Sequence, residues 1–179
     1  SMSAIGRPQE KTKKSFKIDV SKFKLLKKLK SGAFGSIYEV KDTQTNQIYA
    51  AKVSKHLDEE EDEISKKMIN REIRILMLCQ HPTIIKFHGY SLIDFQGERR
   101  VTIFMDNAQK GSLFDVLKRS RDVFADENYD NTARQIILTG VARGMMYLHQ
   151  HNVIHRDLKA ANILLDEYFR PYITDFGLS

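Results

Sequence analysis

Four polar residues near the end of the chain have the types and the spacing to do chemistry. Asp157 and Lys159 are separated by one residue, Asn162 lies three residues further on, and Asp175 follows thirteen residues after that. Phosphoryl transfer needs a carboxylate that takes a proton from a hydroxyl, and oxygen ligands that hold Mg²⁺ beside a polyphosphate. Two carboxylates, an amide and an ammonium group so close in sequence are a set that phosphoryl transfer could use.

A second set of candidate residues lies upstream, in a predicted strand and a predicted helix. Lys52 lies in mid-strand between apolar neighbours, in the run A-A-K-V over residues 50–53. Burying an ammonium group there costs free energy unless the group has a partner. Glu72, on a helix predicted over residues 64–79, is the nearest candidate for that partner. For either residue taken alone, a solvated surface side chain is the alternative.

A turn with two glycines, Gly32 and Gly35, joins two predicted strands. Because glycine has no side chain, its N–H groups can approach phosphate oxygens closely. An ordinary hairpin is the alternative, since two glycines between strands are common. Taken alone, the turn is a weak indication of phosphate binding.

The hydrophobic patterning of the first part of the chain predicts a sheet with one helix. Short apolar or alternating runs predict strands over residues 23–29, 36–40, 48–53, 84–87 and 101–105. In the first of these strands, Phe23, Leu25 and Leu29 are expected on the apolar side. An acidic run over residues 58–63 precedes the helix, where carboxylates suit the positive end of the helix dipole. A solvated helix start is the alternative for that run.

The second part of the chain is predicted to be mainly helical. Apolar residues recur at intervals of three and four from Asn131 onward, which predicts a long helix with Met145 and Met146 filling the core. A short helix over residues 112–119 precedes it, and a small hairpin over residues 163–174 follows it. A sheet with one helix, followed by helices with a hairpin, predicts two lobes of an α+β protein.

Composition describes a globular protein. Hydrophobic residues make up 41% and charged residues 29% of the 179 residues, so the chain is neither disordered nor fibrous. No apolar run approaches the roughly 18 residues that a membrane span needs. The first residues, S-M-S-A, lack a signal peptide's apolar core and are typical of a tag-cleavage scar. A single cysteine, Cys79, excludes an internal disulfide, and we therefore expect a cytoplasmic location.

Positive charge is concentrated at the start of the chain. Residues 1–30 contain ten Lys or Arg against two acidic residues, whereas the remaining residues carry a small net negative charge. A basic arm of this kind can bind nucleic acid or acidic membrane. Only two aromatic residues lie among the basic ones, so we do not expect nucleic-acid binding. A solvated tail leading into an exposed edge strand is the expectation.

Several runs of the chain resemble the sequence motifs of eukaryotic protein kinases. Residues 155–162 read H-R-D-L-K-A-A-N, which is similar to H-R-D-L-x-x-x-N, and residues 175–177 read D-F-G. The alanine and lysine of the strand motif V-A-I-K recur at Ala50 and Lys52. In the pattern G-x-G-x-x-G-x-V, Lys30 replaces the first glycine and Ile37 the valine. The chain therefore resembles a protein kinase over about residues 20–179.

The resemblance implies roles for the candidate residues. It implies that Asp157 orients and deprotonates the substrate hydroxyl, and that Lys159 faces the transferred phosphate, as in serine/threonine-directed enzymes. Lys52, paired with Glu72, would hold the α- and β-phosphates of ATP. The implied Mg²⁺ ligands are Asn162 and Asp175.

The resemblance also implies a nucleotide pocket and an apolar stack. Gly32 and Gly35 would approach the phosphates, and the adenine would lie between three apolar residues: Ile37, Ala50 and Leu164. Met105 would be the gatekeeper, and Asp106 and Ala108 would present hinge backbone groups to adenine. The stack that joins the two lobes would consist of Leu76, Phe87, His155 and Phe176.

The implied fold is α+β and protein-kinase-like, with a five-stranded antiparallel sheet and one helix in the N-lobe and a truncated, mainly helical C-lobe. The expected divisions are a basic extension at residues 1–19, the N-lobe at residues 20–105, the hinge at residues 106–111 and a partial C-lobe at residues 112–179. The activation segment and A-P-E motif of the family would follow Ser179. We expect the free 179-residue polypeptide to be poorly stable and inactive on peptides.

The leading hypothesis is an ATP- and Mg²⁺-dependent kinase that phosphorylates serine or threonine in a protein substrate. The ending A-A-N of residues 160–162 is most similar to the tyrosine-kinase-like group of such enzymes. A pseudokinase or a nucleotide-binding scaffold without turnover is the alternative, which Lys30 favours. A kinase of small molecules is a third interpretation. Oligomeric state and pathway do not follow from the sequence.

Overall fold

The protein is described here by a computed structural model, which covers residues 15–32, 35–55, 62–119 and 129–178. Three features predicted from the sequence lie outside the described residues, wholly or in large part. They are the basic residues 1–14 with the tag scar, the tip of the glycine turn at residues 33–34, and the acidic run up to residue 61.

The first part of the chain forms a five-stranded antiparallel sheet in the order β1-β2-β3-β5-β4. Its strands are β1 (Phe23–Gly32), β2 (Gly35–Asp42), β3 (Ile48–Ser54), β4 (Phe87–Ser91) and β5 (Thr102–Asp106), with helix α1 (Asp62–Leu78) between β3 and β4. The interior strand β5 is buried from residue 102 to residue 105, as expected for a strand with neighbours on both sides. The predicted sheet with one helix is confirmed.

The second part contains a small sheet in the order β6-β7-β8 and two helices. Its elements are β6 (Gly111–Ser112), α2 (Leu113–Arg119), α3 (Asn131–Gln150), β7 (Ile163–Leu165) and β8 (Pro171–Ile173). The α+β fold predicted from the sequence is confirmed, although β6 was not expected. Among the described residues, no helix is both long and apolar enough to span a bilayer.

The expectation for the first strand is wrong in detail. Leu25 and Leu29 are 40% and 44% exposed instead of buried. The register of β1 against β2 shifts twice, between Leu25 and Lys27 and again between Lys28 and Lys30. Each irregularity breaks the alternation of side chains between the two faces, so the period of two cannot be extrapolated along this strand.

The fourth strand begins later than predicted. Ile84 and Ile85 are buried at 3% and 1% exposure, but they lie before β4 in the connection from α1. Ile84 forms a parallel bridge with Ile173, and the Ile85 N–H donates to the Ile173 carbonyl oxygen at 3.0 Å. An apolar run in a sequence indicates that its residues are buried, but not which strand they pair with. These two residues bond to the second sheet and so join the two parts of the molecule.

Close contacts on one face of α3 fix it against the second sheet. The helix begins after Asp130, whose Oδ1 accepts a hydrogen bond from the Ala133 N–H at 2.8 Å. Gly144 packs so closely that a Cβ atom would lie 2.6 Å from Thr83 Oγ1 and 2.8 Å from Ile173 Cδ1. On another face Met146 is 57% exposed, so the expectation that it fills the core is wrong.

The segment before β1 is not a solvated tail from residue 16 onward. The Ile18 N–H donates to the Tyr90 carbonyl oxygen at 2.8 Å, and the Tyr90 N–H donates to the Phe16 carbonyl oxygen at 2.8 Å. Val20 is buried in a cluster that also contains Val40 and Phe104. The expectation of a free tail is therefore wrong for residues 16–20, because apolar side chains alternate with polar ones there and one face is packed.

Candidate active site

The structure brings Lys52 of β3 and Glu72 of α1 together. Lys52 Nζ donates to Glu72 Oε1 at 2.8 Å and to Oε2 at 2.7 Å, and it lies 3.6 Å from Asp175 Oδ1. Glu72 is only 3% exposed. Burial alone would lower the pKa of Lys52, but the charges of Glu72 and Asp175 outweigh it and hold the pKa above its ordinary value. The ammonium group is thus a fixed positive charge.

The loop after α3 holds a carboxylate between two donors. Lys159 Nζ donates to Asp157 Oδ1 at 3.0 Å, and Asn162 Nδ2 donates to Asp157 Oδ2 at 3.0 Å. The hydrogen bond from Lys159 is the main cause that lowers the pKa of Asp157. Asp157 therefore stays ionised at neutral pH, in the state that accepts a hydrogen bond from a hydroxyl.

His155 links this loop to the segment that carries Asp175. The Asp157 N–H donates to His155 Nδ1 at 3.3 Å, and His155 Nε2 lies 2.9 Å from the Thr174 carbonyl oxygen. One neutral tautomer, protonated at Nε2, satisfies both bonds. The ring is 1% exposed and packs on Phe176 with the ring centroids 5.1 Å apart. His155 and Phe176 therefore pack together, as in the stack that the resemblance implies.

Two residues of the site have positive φ angles, which residues other than glycine seldom adopt. Arg156 has φ of 63° and Asp175 has φ of 68°. Such conformations cost free energy and persist only where the surrounding structure enforces them. Arg156 follows His155, and Asp175 follows the residue whose carbonyl oxygen contacts the His155 ring. The backbone strain therefore lies next to the side chains that could do chemistry.

Asn162 and Asp175 lie side by side and could hold a divalent cation. The Thr174 N–H donates to the Asn162 carbonyl oxygen at 3.0 Å, which places the two loops together. Asn162 Nδ2 also donates to the Asp157 carbonyl oxygen at 2.8 Å, so its Oδ1 points the other way. One amide oxygen and one carboxylate fit Mg²⁺, which takes its remaining ligands from phosphates and water. Within the described ranges, no cluster of three or more His, Cys, Asp or Glu side chains could hold a metal ion.

Apolar residues of the first sheet are register neighbours of Lys52 and of one another. Ala50 of β3 pairs with Met105 of β5, and Ile37 of β2 pairs with Lys52. Leu164 lies on β7, in the second sheet. A flat apolar group such as a nucleotide base could lie between these sheets, with its phosphates toward Lys52.

Two glycines stand at the adjoining ends of β1 and β2. Gly32 and Gly35 pair with each other at the ends of β1 and β2, and Gly35 has φ of 139°. A Cβ atom at Gly35 would lie 2.1 Å from the Val53 carbonyl oxygen, so this position excludes any side chain. Lys30 is exposed and pairs with Ile37 across the strands.

The segment after β5 is held by contacts that sequence reasoning missed. Asn107 Nδ2 donates to Glu39 Oε2 at 3.0 Å, and His88 Nε2 lies 2.5 Å from Asp106 Oδ1. The Gly111 N–H donates to the Ala108 carbonyl oxygen at 3.1 Å, which adds a backbone bond. These side-chain partners are 68 and 18 residues apart, and no periodicity or motif marks them.

Comparison with known proteins identifies the class to which this fold and site belong. Residues 23–179 match the protein kinase domain. The chain is 29% identical to serine/threonine-protein kinase 1 of Arabidopsis thaliana, covering 99% of this chain and 20% of that protein. It is 34% identical to protein kinase 3 of Dictyostelium discoideum, covering 99% of this chain and 18% of that protein.

A third relative is the cAMP-dependent protein kinase type 3 of Saccharomyces cerevisiae, which is 32% identical over 92% of this chain and 39% of that protein. The chain belongs to the protein kinase domain family, whose members use ATP. It spans about a fifth of the length of the first two relatives. The resemblance predicted from the motifs is confirmed at the level of the family.

Proposed function

We propose that the protein is an ATP-dependent protein serine/threonine kinase, which transfers the γ-phosphate of ATP to a protein hydroxyl. One observation carries the proposal: Lys52, held by Glu72, lies 3.6 Å from Asp175, and the adjoining loop presents Asp157. The relatives named above as serine/threonine or cAMP-dependent protein kinases support the same activity.

Asp157 is proposed as the residue that orients the acceptor hydroxyl and takes its proton. Its low pKa makes it a weak base, so its main contribution is to hold the hydroxyl in line with the phosphorus while the proton leaves late. Lys159, which already contacts this carboxylate, can turn toward the transferred phosphate and offset its negative charge. Lysine at this position supports a serine or threonine acceptor over tyrosine.

Nucleotide binding is proposed for the space between the two sheets. The adenine would lie between Ile37, Ala50 and Leu164, beside Met105, with the backbone of Asp106 and Ala108 as its polar partners. Lys52 would bind the α- and β-phosphates, and Gly32 and Gly35 would admit backbone N–H groups to phosphate oxygens.

Asn162 Oδ1 and the Asp175 carboxylate are proposed to hold Mg²⁺. When bound, such an ion would supply positive charge that offsets the negative charge developing on the phosphates. Asn162 would keep its amide fixed through the bonds that it donates to Asp157. The loop that positions the acceptor would therefore also position the metal.

The proposed divisions are an N-lobe at residues 20–105, a hinge at residues 106–111 and the start of a C-lobe from residue 112.

Three further proposals are membership of the tyrosine-kinase-like group, a cytoplasmic location and a protein substrate. The location is supported by the single cysteine, which is free and buried.

Phosphate transfer from radiolabelled ATP tests the proposal. The complete gene product would be assayed with Mg²⁺ and a peptide library containing serine, threonine and tyrosine. We expect incorporation into serine or threonine, and loss of at least about a hundredfold in Asp157→Asn. Glu167→Gln, a matched change of an exposed carboxylate, should keep full activity.

Other results would contradict the proposal in distinguishable ways. Equal incorporation by the wild-type protein and Asp157→Asn would overturn the role of Asp157. Nucleotide binding without transfer to any acceptor would favour a nucleotide-binding scaffold, the alternative to which Lys30 points. Transfer to small molecules but not to peptides would favour a small-molecule kinase.

A further inference from the structure

The segment that precedes β1 has one apolar face and one polar face. Phe16, Ile18 and Val20 are half-buried or buried, whereas the residues between them are exposed. This alternation is that of a strand with one packed side. We call residues 15–20 the strap. They precede the part of the chain that matches the protein kinase domain, which begins at residue 23.

The strap lies along β4, the last strand of the five-stranded sheet. Lys17 forms a parallel bridge with Tyr90, and the two backbone hydrogen bonds to Tyr90 flank it. The strap thus satisfies backbone groups that an edge strand otherwise leaves to solvent.

Gly89 of β4 provides space for this pairing. A Cβ atom there would lie 2.4 Å from the Phe16 carbonyl oxygen and 2.7 Å from Ile18 Cδ1. Any side chain at this position would collide with the backbone of the strap. The edge of β4 is therefore shaped to receive the strap.

The far end of the strap is anchored in the sheet. Val20 is 8% exposed and packs in the cluster with Val40, Ala51 and Phe104. Asp19 Oδ1 accepts a hydrogen bond from the Ser21 N–H at 3.0 Å and so caps the turn into β1. Because Val20 is fixed in the sheet, Phe16 at the other end of the strap lies beside Phe87, the first residue of β4.

Phe16 contacts the apolar core that backs the active site. Its ring lies 5.5 Å from the ring of Phe87, with an angle of 38° between the planes. Phe87 packs against the buried cluster that contains Leu76 and Phe176. Leu76 is one helical turn after Glu72 on α1, and Phe176 directly follows Asp175. The strap is therefore connected through Phe87 to both elements that supply partners to Lys52.

We propose that Phe16 is a positioning residue for phosphoryl transfer, an inference that rests on the proposed kinase activity. By packing on Phe87 it stabilises the arrangement in which α1 brings Glu72 to Lys52. When the ring is absent, α1 spends more time displaced, and a smaller fraction of molecules has the ammonium group correctly held.

The variant Phe16→Ala tests this role, with Lys17→Ala as the matched control on the exposed face of the strap. We expect kcat to fall by about two- to tenfold in Phe16→Ala, the range for loss of one aromatic pair. Phe16→Leu, which keeps an apolar side chain on Phe87, should retain more than half of kcat, and Lys17→Ala should match the wild type.

Hydrogen exchange separates positioning from general destabilisation and does not depend on activity. In Phe16→Ala, the amides of α1 should exchange at least about threefold faster, while those of α3 stay unchanged. Equal acceleration in α1 and α3 would make Phe16 a merely structural residue and overturn the proposal, as would kcat and exchange equal to those of Lys17→Ala. If α1 alone loosens in a protein without phosphoryl transfer, the kinase activity fails and the mechanical coupling stands.

Discussion

Replacing Glu72 with glutamine tests the arrangement of the whole site, because this carboxylate alone makes both short bonds to Lys52. Glutamine has nearly the same shape but no charge, and it keeps one oxygen acceptor. The variant therefore loses about one charge-assisted hydrogen bond, worth about 1.5–3 kcal/mol. If that energy positions Lys52 only when the phosphates are bound in the transition state, kcat/KM falls by about tenfold to about a hundredfold.

Stability should fall by less than the full value for a buried ion pair. Breaking such a pair costs about 3–5 kcal/mol when one charge is left buried without a partner. Here Asp175 remains 3.6 Å from Lys52 Nζ, and the Lys52 side chain is 20% exposed. We therefore expect the free energy of unfolding to drop by about 1–3 kcal/mol, which urea denaturation can measure.

The pH dependence follows from the sign of the shift at Lys52. Its pKa is raised in the folded protein, so its contribution to stability is complete below the unfolded value of 10.5 and is lost as the pH rises above that value. Without the charge of Glu72, burial is less opposed and the pKa of Lys52 falls. The alkaline limb of the pH–rate profile should move to lower pH in Glu72→Gln.

Glu63→Gln is the matched control, since Glu63 lies on the same helix and is exposed. It should leave kcat/KM, stability and the alkaline limb unchanged. If Glu72→Gln behaves like this control within about twofold in kcat/KM, the pair does not position Lys52 for catalysis. The two short bonds from Lys52 to Glu72 would then have no role in catalysis.

Three further predictions concern the scaffold. Asp166→Asn should lower the free energy of unfolding by about 1–3 kcal/mol at pH 7. Its folded pKa lies below 3.8, so the difference should shrink as the pH falls through that pKa; acid titration of unfolding checks this. Gly144→Ala should lower the melting temperature, because the new Cβ meets Thr83 at 2.6 Å, and calorimetry that shows no change would contradict this packing. A double-mutant cycle of Glu39→Ala and Asn107→Ala, read out as the free energy of unfolding, should show coupling of about 0.5–1.5 kcal/mol; additive effects would contradict the contact.

The fold could be predicted where local patterns coincide with the final partners. Helix α3 follows from its periodicity, since its buried residues recur at intervals of three and four. Strands β2 and β3 pair with each other without a register shift, so each apolar run stays one strand. The two register shifts in β1 could not be predicted, because a bulge depends on the partner strand and leaves no mark in the apolar pattern. The strap was missed for a similar reason. Three alternating apolar residues among many lysines do not indicate which strand edge they meet.

The residues that could do chemistry were easier to identify from the sequence than the residues that hold them in place. The separation of the contacting residues along the chain explains the difference. Asp157 and Asn162 lie five residues apart and contact each other, so their spacing is set by the local backbone and is visible in the sequence. The Asn107–Glu39 bond joins residues 68 positions apart and depends on where the segment after β5 lies relative to β2. No local feature of the sequence requires Asn107 or Glu39, so a substitution at one position can be matched by a substitution at the other. Sequence motifs therefore predict which reaction the site could support, whereas the contacts that hold the surrounding scaffold become visible only in the folded chain.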